Sequence, residues 1–142
     1  MKVFLSHARK DVVLAAQLAE QLKDRGYFEV WQAFDQIAPG DNWAKITGKA
    51  LDDAEMMVVL LTPSALKSDS IRNDIEYALG SRKFEGRLFS VYVGPTLQVG
   101  KDVPWILLTL PHRQVESAKE FPEVAAEIRA LRGSRKVRHA NA

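Results

Sequence analysis

Six consecutive apolar residues, Met56-Met57-Val58-Val59-Leu60-Leu61, constrain the fold of this chain more than any other segment. Six residues are about a third of a membrane span, and a run without polar alternation has no face to show to water. It therefore reads as a strand buried on both faces, the arrangement of a central strand in a parallel sheet covered by helices. The turn residues Thr62-Pro63-Ser64 end it. The segments around it alternate in the same sense. Lys2–Leu5 is a short apolar strand. Asp11–Arg25 places Ala15, Leu18, Ala19 and Leu22 on one helical face, with Gly26 as the stop. Tyr27–Trp31 is a second strand, and residues 32–42 form a loop whose strongest breaker is Pro39-Gly40-Asp41-Asn42. A helix resumes near Trp43, carrying Trp43, Ile46, Ala50 and Leu51 inward. A further helix occupies about residues 70–83, and Arg87–Val93 is a fourth strand. Beyond Gly94 the pattern weakens. Residues 104–108 suit a short helix or a strand, residues 112–115 a last strand, and Phe121, Val124, Ile128 and Leu131 a closing amphipathic helix. Strand and helix in alternation predict an α/β domain, a parallel sheet with helices on both faces.

Length and composition remove several classes of function. The 142 residues make one domain, large enough to bury a core without metal or disulfide. There is no cysteine, which excludes thiol catalysis and Cys-based zinc sites. The start turns polar at Ser6-His7, too soon for the apolar region of a signal peptide, so the expected location is the cytoplasm. Net charge is +2, but Arg132, Arg135, Lys136 and Arg138 sit in the last eleven residues without an acid; the remainder holds 16 bases against 18 acids. No basic stripe of the nucleic-acid-binding kind is expected on the folded part. Residues 1–132 are taken as the domain and 133–142 as a basic, solvated, disordered tail.

Neither GxGxxG nor GxxxxGK[ST] follows the first strand, so no dinucleotide turn or P-loop is present. Thr62 stands where a phospho-acceptor aspartate would end the third strand, and Ser6-His7 stand where its acidic partners would. The three histidines, His7, His112 and His139, lack metal-ligand spacing, and no metal is expected. In the helix after the third strand, Ile71, Ile75 and Leu79 recur at four-residue spacing and define its inward stripe. Glu76 is one position off that stripe, at an edge that would face the carboxyl ends of the strands, where open α/β folds bind ligands. Alternatively it is the outer half of an exposed i,i+4 pair with Arg72.

Four pieces occur in order: Phe4-Leu5-Ser6-His7-Ala8-Arg9-Lys10-Asp11; Val30-Trp31 running through Phe34-Asp35 to Pro39-Gly40-Asp41; Val58-Val59-Leu60-Leu61-Thr62-Pro63-Ser64; and Ile75-Glu76-Tyr77-Ala78-Leu79. Together they resemble the Toll/interleukin receptor (TIR) domain family in its bacterial form, over about residues 2–93 with a looser fit to Leu131. The resemblance implies a flavodoxin-like three-layer domain with about five strands, and a mobile loop over residues 33–43. It also implies one of two functions. Many bacterial, plant and some animal TIR domains cleave NAD+ between nicotinamide and ribose, to ADP-ribose or a cyclic isomer; others are adaptors that assemble with further TIR domains. A nucleoside deoxyribosyltransferase-like enzyme of related fold is a third, weaker alternative.

TIR enzymes carry a glutamate on the helix after the third strand, and Glu76 is the matching position and the expected catalytic residue. NAD+ is then the substrate, and no true cofactor is expected. The nicotinamide departs neutral and needs no acid, so one carboxylate facing the ribose cation suffices, where ordinary glycosidases use two. The resemblance places His7, Ala8 and Arg9 against the nucleotide, with Arg9 either on the pyrophosphate or solvated. Phe34 and Trp43 would stack on a base, unless Trp43 belongs to the core of its helix, and Asp35 would hold ribose or make a turn. Two positions depart from the enzymes: Arg72 where they often have a Trp four residues before the glutamate, and Ala33 where they often have an Asp. Arg72 would then form one wall of the pocket. Expected partners are other TIR domains, in a homo-oligomer or filament through the 33–43 loop, with no nucleic acid and no membrane. The implied setting is bacterial immunity against phage.

Overall fold

The computed structural model describes residues 1–33, 38–94 and 105–140, the last nine of these by backbone alone. Five parallel strands form its sheet: β1 (Lys2–Ser6), β2 (Glu29–Trp31), β3 (Met56–Leu61), β4 (Leu88–Val93) and β5 (His112–Val115). Their spatial order is β2-β1-β3-β4-β5. This is the flavodoxin-like order, in which the chain first steps outward from β1 to β2 and then returns to β3 on the other side of β1. All six residues of β3 are buried, as the apolar run requires. Met56, Val58 and Leu60 pack into one layer. Met57, Val59 and Leu61 pack into the other.

The first layer is roofed by α1 (Val12–Lys23) and α6 (Phe121–Ala140). In α1 the buried residues are Ala15, Leu18, Ala19 and Leu22, the four whose spacing marks them. Backbone φ is positive at Arg25 and Gly26, and the chain turns there into β2. The strand itself begins only at Glu29, because Tyr27 still has helical φ/ψ. α6 continues without a break from residue 121 to Ala140, so its backbone is helical through most of the segment expected as a disordered tail.

The second layer holds α2 (Trp43–Asp53), α3 (Pro63–Leu66), α4 (Asp69–Leu79) and α5 (Trp105–Leu108). Residues 104–108 thus resolve in favour of the helix from 105 onward. Each of α2, α3 and α4 begins on a side-chain cap: Asn42 accepts from Lys45 N, Thr62 from Ala65 N and Ser68 from Ile71 N. Before α2 the chain turns at Pro39-Gly40, with Gly40 at φ 90° and Asp41 bonding back to Ala38 N through its side chain.

Two inward faces differ from expectation. Trp43 opens α2 but is 40% exposed, so it belongs to the surface and not to the helix core. In α4 the buried positions are Ile71, Ile75 and Ala78, while Leu79 is 43% exposed. Replacing Leu79 by Ala78 as the third inward residue turns the whole helix about its axis. The helix also ends at Leu79, because Gly80 and a short 3-10 turn at Arg82–Phe84 follow it.

Candidate functional site

The return from β2 to β3 leaves a crevice beyond the carboxyl end of β1, the place where doubly wound sheets bind ligands. Its floor is the end of β1, from Phe4 to His7. Trp31 and Ala33, at the end of β2, form one side, and Trp31 stacks on Phe4 with ring centroids 4.8 Å apart. Trp43 and Thr47 of α2 form the second side, and Ser70 and Asp74 of α4 the third.

The carboxylate in this crevice is Asp74, not Glu76. Glu76 is exposed and is absent from the crevice wall. The physical reason is the turn of α4: at 3.6 residues per turn, Asp74 lies about 70° from the centre of an Ile71–Ile75–Ala78 stripe and Glu76 about 130°. A stripe read as 71/75/79 tilts that comparison toward Glu76. The reading 71/75/78 was available from the same residues and would have selected Asp74.

Ser6 Oγ, at the end of β1, donates a hydrogen bond of 2.7 Å to Asp74 Oδ2. Burial raises the Asp74 carboxyl from its ordinary value of 3.8 to about 6, and the bond from Ser6 works in the opposite direction. Asp74 is thus ionised at neutral pH but strained in charge, with its proton affinity set just below the working range. Such a group in a cleft is a candidate for chemistry. Behind the crevice a second polar contact joins the loops on either side of the switch point. Thr62 Oγ1, itself the cap of α3, donates to the buried carboxylate of Asp11.

The other expected residues divide as follows. His7 is buried on the crevice floor, and its Nδ1 lies 2.9 Å from the Ala8 carbonyl. A carbonyl can only accept, so Nδ1 carries the proton and Nε2 is the acceptor in the neutral ring. Ala8 is buried in the core of the second layer and does not line the crevice. Arg9 is exposed at the start of a 3-10 turn, away from the crevice wall. Trp43 stands half-exposed at the crevice rim, which suits a stacking surface better than a core position. Arg72 is exposed and ion-paired with Asp69 at 3.2 Å, so it forms neither a wall of the crevice nor the pair with Glu76 that its spacing permits. Phe34 and Asp35 lie outside the described residues. Ser6, Thr47, Ser70 and Asp74 were not expected, because what brings them together is the meeting of three elements distant in sequence.

Among the described residues no cluster of His, Asp and Glu is suited to a metal ion, and no helix is long and apolar enough to cross a membrane.

No curated protein matches the chain in sequence at a significant level. Solved structures match its fold. A metazoan TIR-STING receptor from C. gigas, solved in complex with 2′,3′-cGAMP, superposes with a TM-score of 0.72 at 20% identity. That match covers 91% of this chain and 38% of the receptor, so the chain spans less than half of that protein. The SEFIR domain of interleukin-17 receptor B gives a TM-score of 0.58 at 16% identity, covering 92% of this chain and 96% of that one. A 2-deoxyribosyltransferase from Bacillus psychrosaccharolyticus gives 0.55 at 12% identity, covering 86% and 90%. In sequence, the family model of the TIR domain matches residues 3–121. With that match over most of its length and a five-stranded parallel sheet in flavodoxin-like order, the chain belongs to the TIR domain family.

Proposed function

We propose that this TIR domain cleaves NAD+ between nicotinamide and ribose, and that Asp74 supplies the carboxylate Glu76 was expected to supply. The observation that carries the reading is a half-buried aspartate at the carboxyl end of β1, held by Ser6 and walled by two tryptophans. As the glycosidic bond lengthens, nicotinamide leaves as a neutral base and positive charge grows on the ribose. An ionised Asp74, already desolvated and fixed by Ser6, stabilises that charge without reorganisation. Trp43 at the rim offers a face for the departing ring. Water or an adenine nitrogen then takes the ribose carbon, giving ADP-ribose or a cyclic isomer. NAD+ is the substrate, and the setting implied by the bacterial TIR resemblance is defence against phage.

Two features modify the expected pocket. Aspartate is one methylene shorter than the glutamate of the TIR enzymes. Four residues before it stands Ser70, on the crevice wall, where those enzymes often carry Trp. The free space on the crevice floor is about 30 Å³, enough for about one water and far less than a nicotinamide needs. The active form therefore has a wider crevice, reached on self-association through the 33–43 loop.

The same narrowness favours a second reading, a non-catalytic adaptor that docks on other TIR domains. Release of nicotinamide from NAD+ by concentrated protein separates the two. The enzyme reading expects turnover that falls by about 10²–10³ in Asp74→Asn and is unchanged in Glu76→Gln. Absence of turnover by the wild type, including in preformed assemblies, establishes the adaptor. Loss in Glu76→Gln with Asp74→Asn active returns the role to Glu76.

A further inference from the structure

Thr47 lies on α2 one turn after Trp43 and lines the same crevice as Asp74 and Ser70. Its Oγ1 is shielded from solvent and has no hydrogen-bond partner among the described residues. This is unusual for a helical threonine, whose hydroxyl normally bonds the carbonyl three or four residues back. A buried hydroxyl left unsatisfied opposes folding, so its retention needs another reason. Of the other hydroxyls that line the crevice, that of Ser6 is already committed to Asp74, and that of Ser70 stands on the same helix as Asp74. Thr47 thus contributes a group that can donate and accept and that no described residue engages.

We propose that Thr47 is a substrate-contacting residue whose hydroxyl bonds a ribose hydroxyl of the bound nucleotide in the crevice it shares with Asp74. A sugar hydroxyl also both donates and accepts, so it can serve a carboxylate on one side and a threonine on the other. A purely apolar ligand part would leave Thr47 unsatisfied, and a phosphate would bring a second negative charge beside Asp74. The inference rests on the reading of the crevice as a ribose site and adds the residue that recognises the sugar.

The test uses Thr47→Val, which keeps the shape and removes the hydroxyl, and Thr47→Ser, which keeps the hydroxyl. Each variant is measured for KM with NAD+, for unliganded melting temperature, and for the rise in melting temperature on adding ADP-ribose. The expected result is that Thr47→Val melts no lower than wild type, raises KM about tenfold and loses most of the ADP-ribose stabilisation. Thr47→Ser stays near wild type in KM and in ADP-ribose response. A lower melting temperature in Thr47→Val with KM and ADP-ribose response unchanged makes the hydroxyl structural and overturns the proposal. If wild type releases no nicotinamide but ADP-ribose stabilises it and Thr47→Val abolishes that, the contact stands and the cleavage reading falls. If wild type neither turns over NAD+ nor responds to ADP-ribose, both fall together.

Discussion

Asp74→Asn should make this protein more stable at neutral pH, and the gain should vanish in acid. In the folded chain the carboxyl is raised to about 6, whereas an unfolded chain returns it to the ordinary 3.8. The folded state therefore holds the proton more tightly, and ionisation opposes folding. Well below pH 3.8 the group is protonated in both states and there is no penalty. Between about 4 and 6 the penalty grows, and above 6 it is complete. The rise from 3.8 to about 6 corresponds to about 3 kcal/mol. Asparagine has nearly the same shape, carries no charge, and keeps an oxygen to accept from Ser6 Oγ. At pH 7.5 the variant is expected to gain about 2–3 kcal/mol, or about 5–10 °C in melting temperature for a chain of this size. At pH 4 the gain should fall to about 0.5 kcal/mol, or about 1–2 °C. Thermal unfolding at pH 4, 5, 6 and 7.5 measures this, with Glu76→Gln as the control, since the Glu76 side chain is exposed. A variant no more stable than wild type at pH 7.5, or a difference that does not shrink toward pH 4, refutes the argument that Asp74 is desolvated. Stability gained together with turnover lost is the signature of a residue kept for function.

Four further outcomes follow from the same structure. If ionised Asp74 faces the ribose, log kcat/KM for NAD+ rises with unit slope up to about pH 6 and then levels off, which a pH–rate profile reads directly. Thr62→Val deprives buried Asp11 of its donor and is expected to cost about 1–3 kcal/mol in urea unfolding. In α4, Ala78→Leu overpacks the inward face and should cost about 1–3 kcal/mol. Leu79→Lys, on the exposed side, should stay within about 0.5 kcal/mol.

Most of the architecture was legible because it rests on local pattern. The unbroken run Met56–Leu61 could only be a strand covered on both faces, and every residue of it is buried. The spacing of Ala15, Leu18, Ala19 and Leu22 named the inward face of α1 without error. Strand and helix in alternation implied the parallel sheet, and four short pieces in order resembled the TIR family to which the chain belongs. α4 shows where that kind of reading stops. Ala78 and Leu79 are adjacent, and hydrophobicity alone favours Leu79 as the inward residue. The packed helix nevertheless buries Ala78 and leaves Leu79 43% exposed.

The order of apolar and polar residues along the chain therefore determined the elements, their sequence and the family, because burial periodicity is a property of neighbours in sequence. It also pointed to the carboxyl ends of the strands as the place to look for a ligand site. The rotation of each helix about its axis was decided by tertiary packing, and with it which carboxylate faces the crevice. Ser6, Thr47 and Asp74 come from β1, α2 and α4, and no local pattern relates them. Their meeting, the raised proton affinity of Asp74 and the unpartnered hydroxyl of Thr47 exist only once three elements enclose the same small volume.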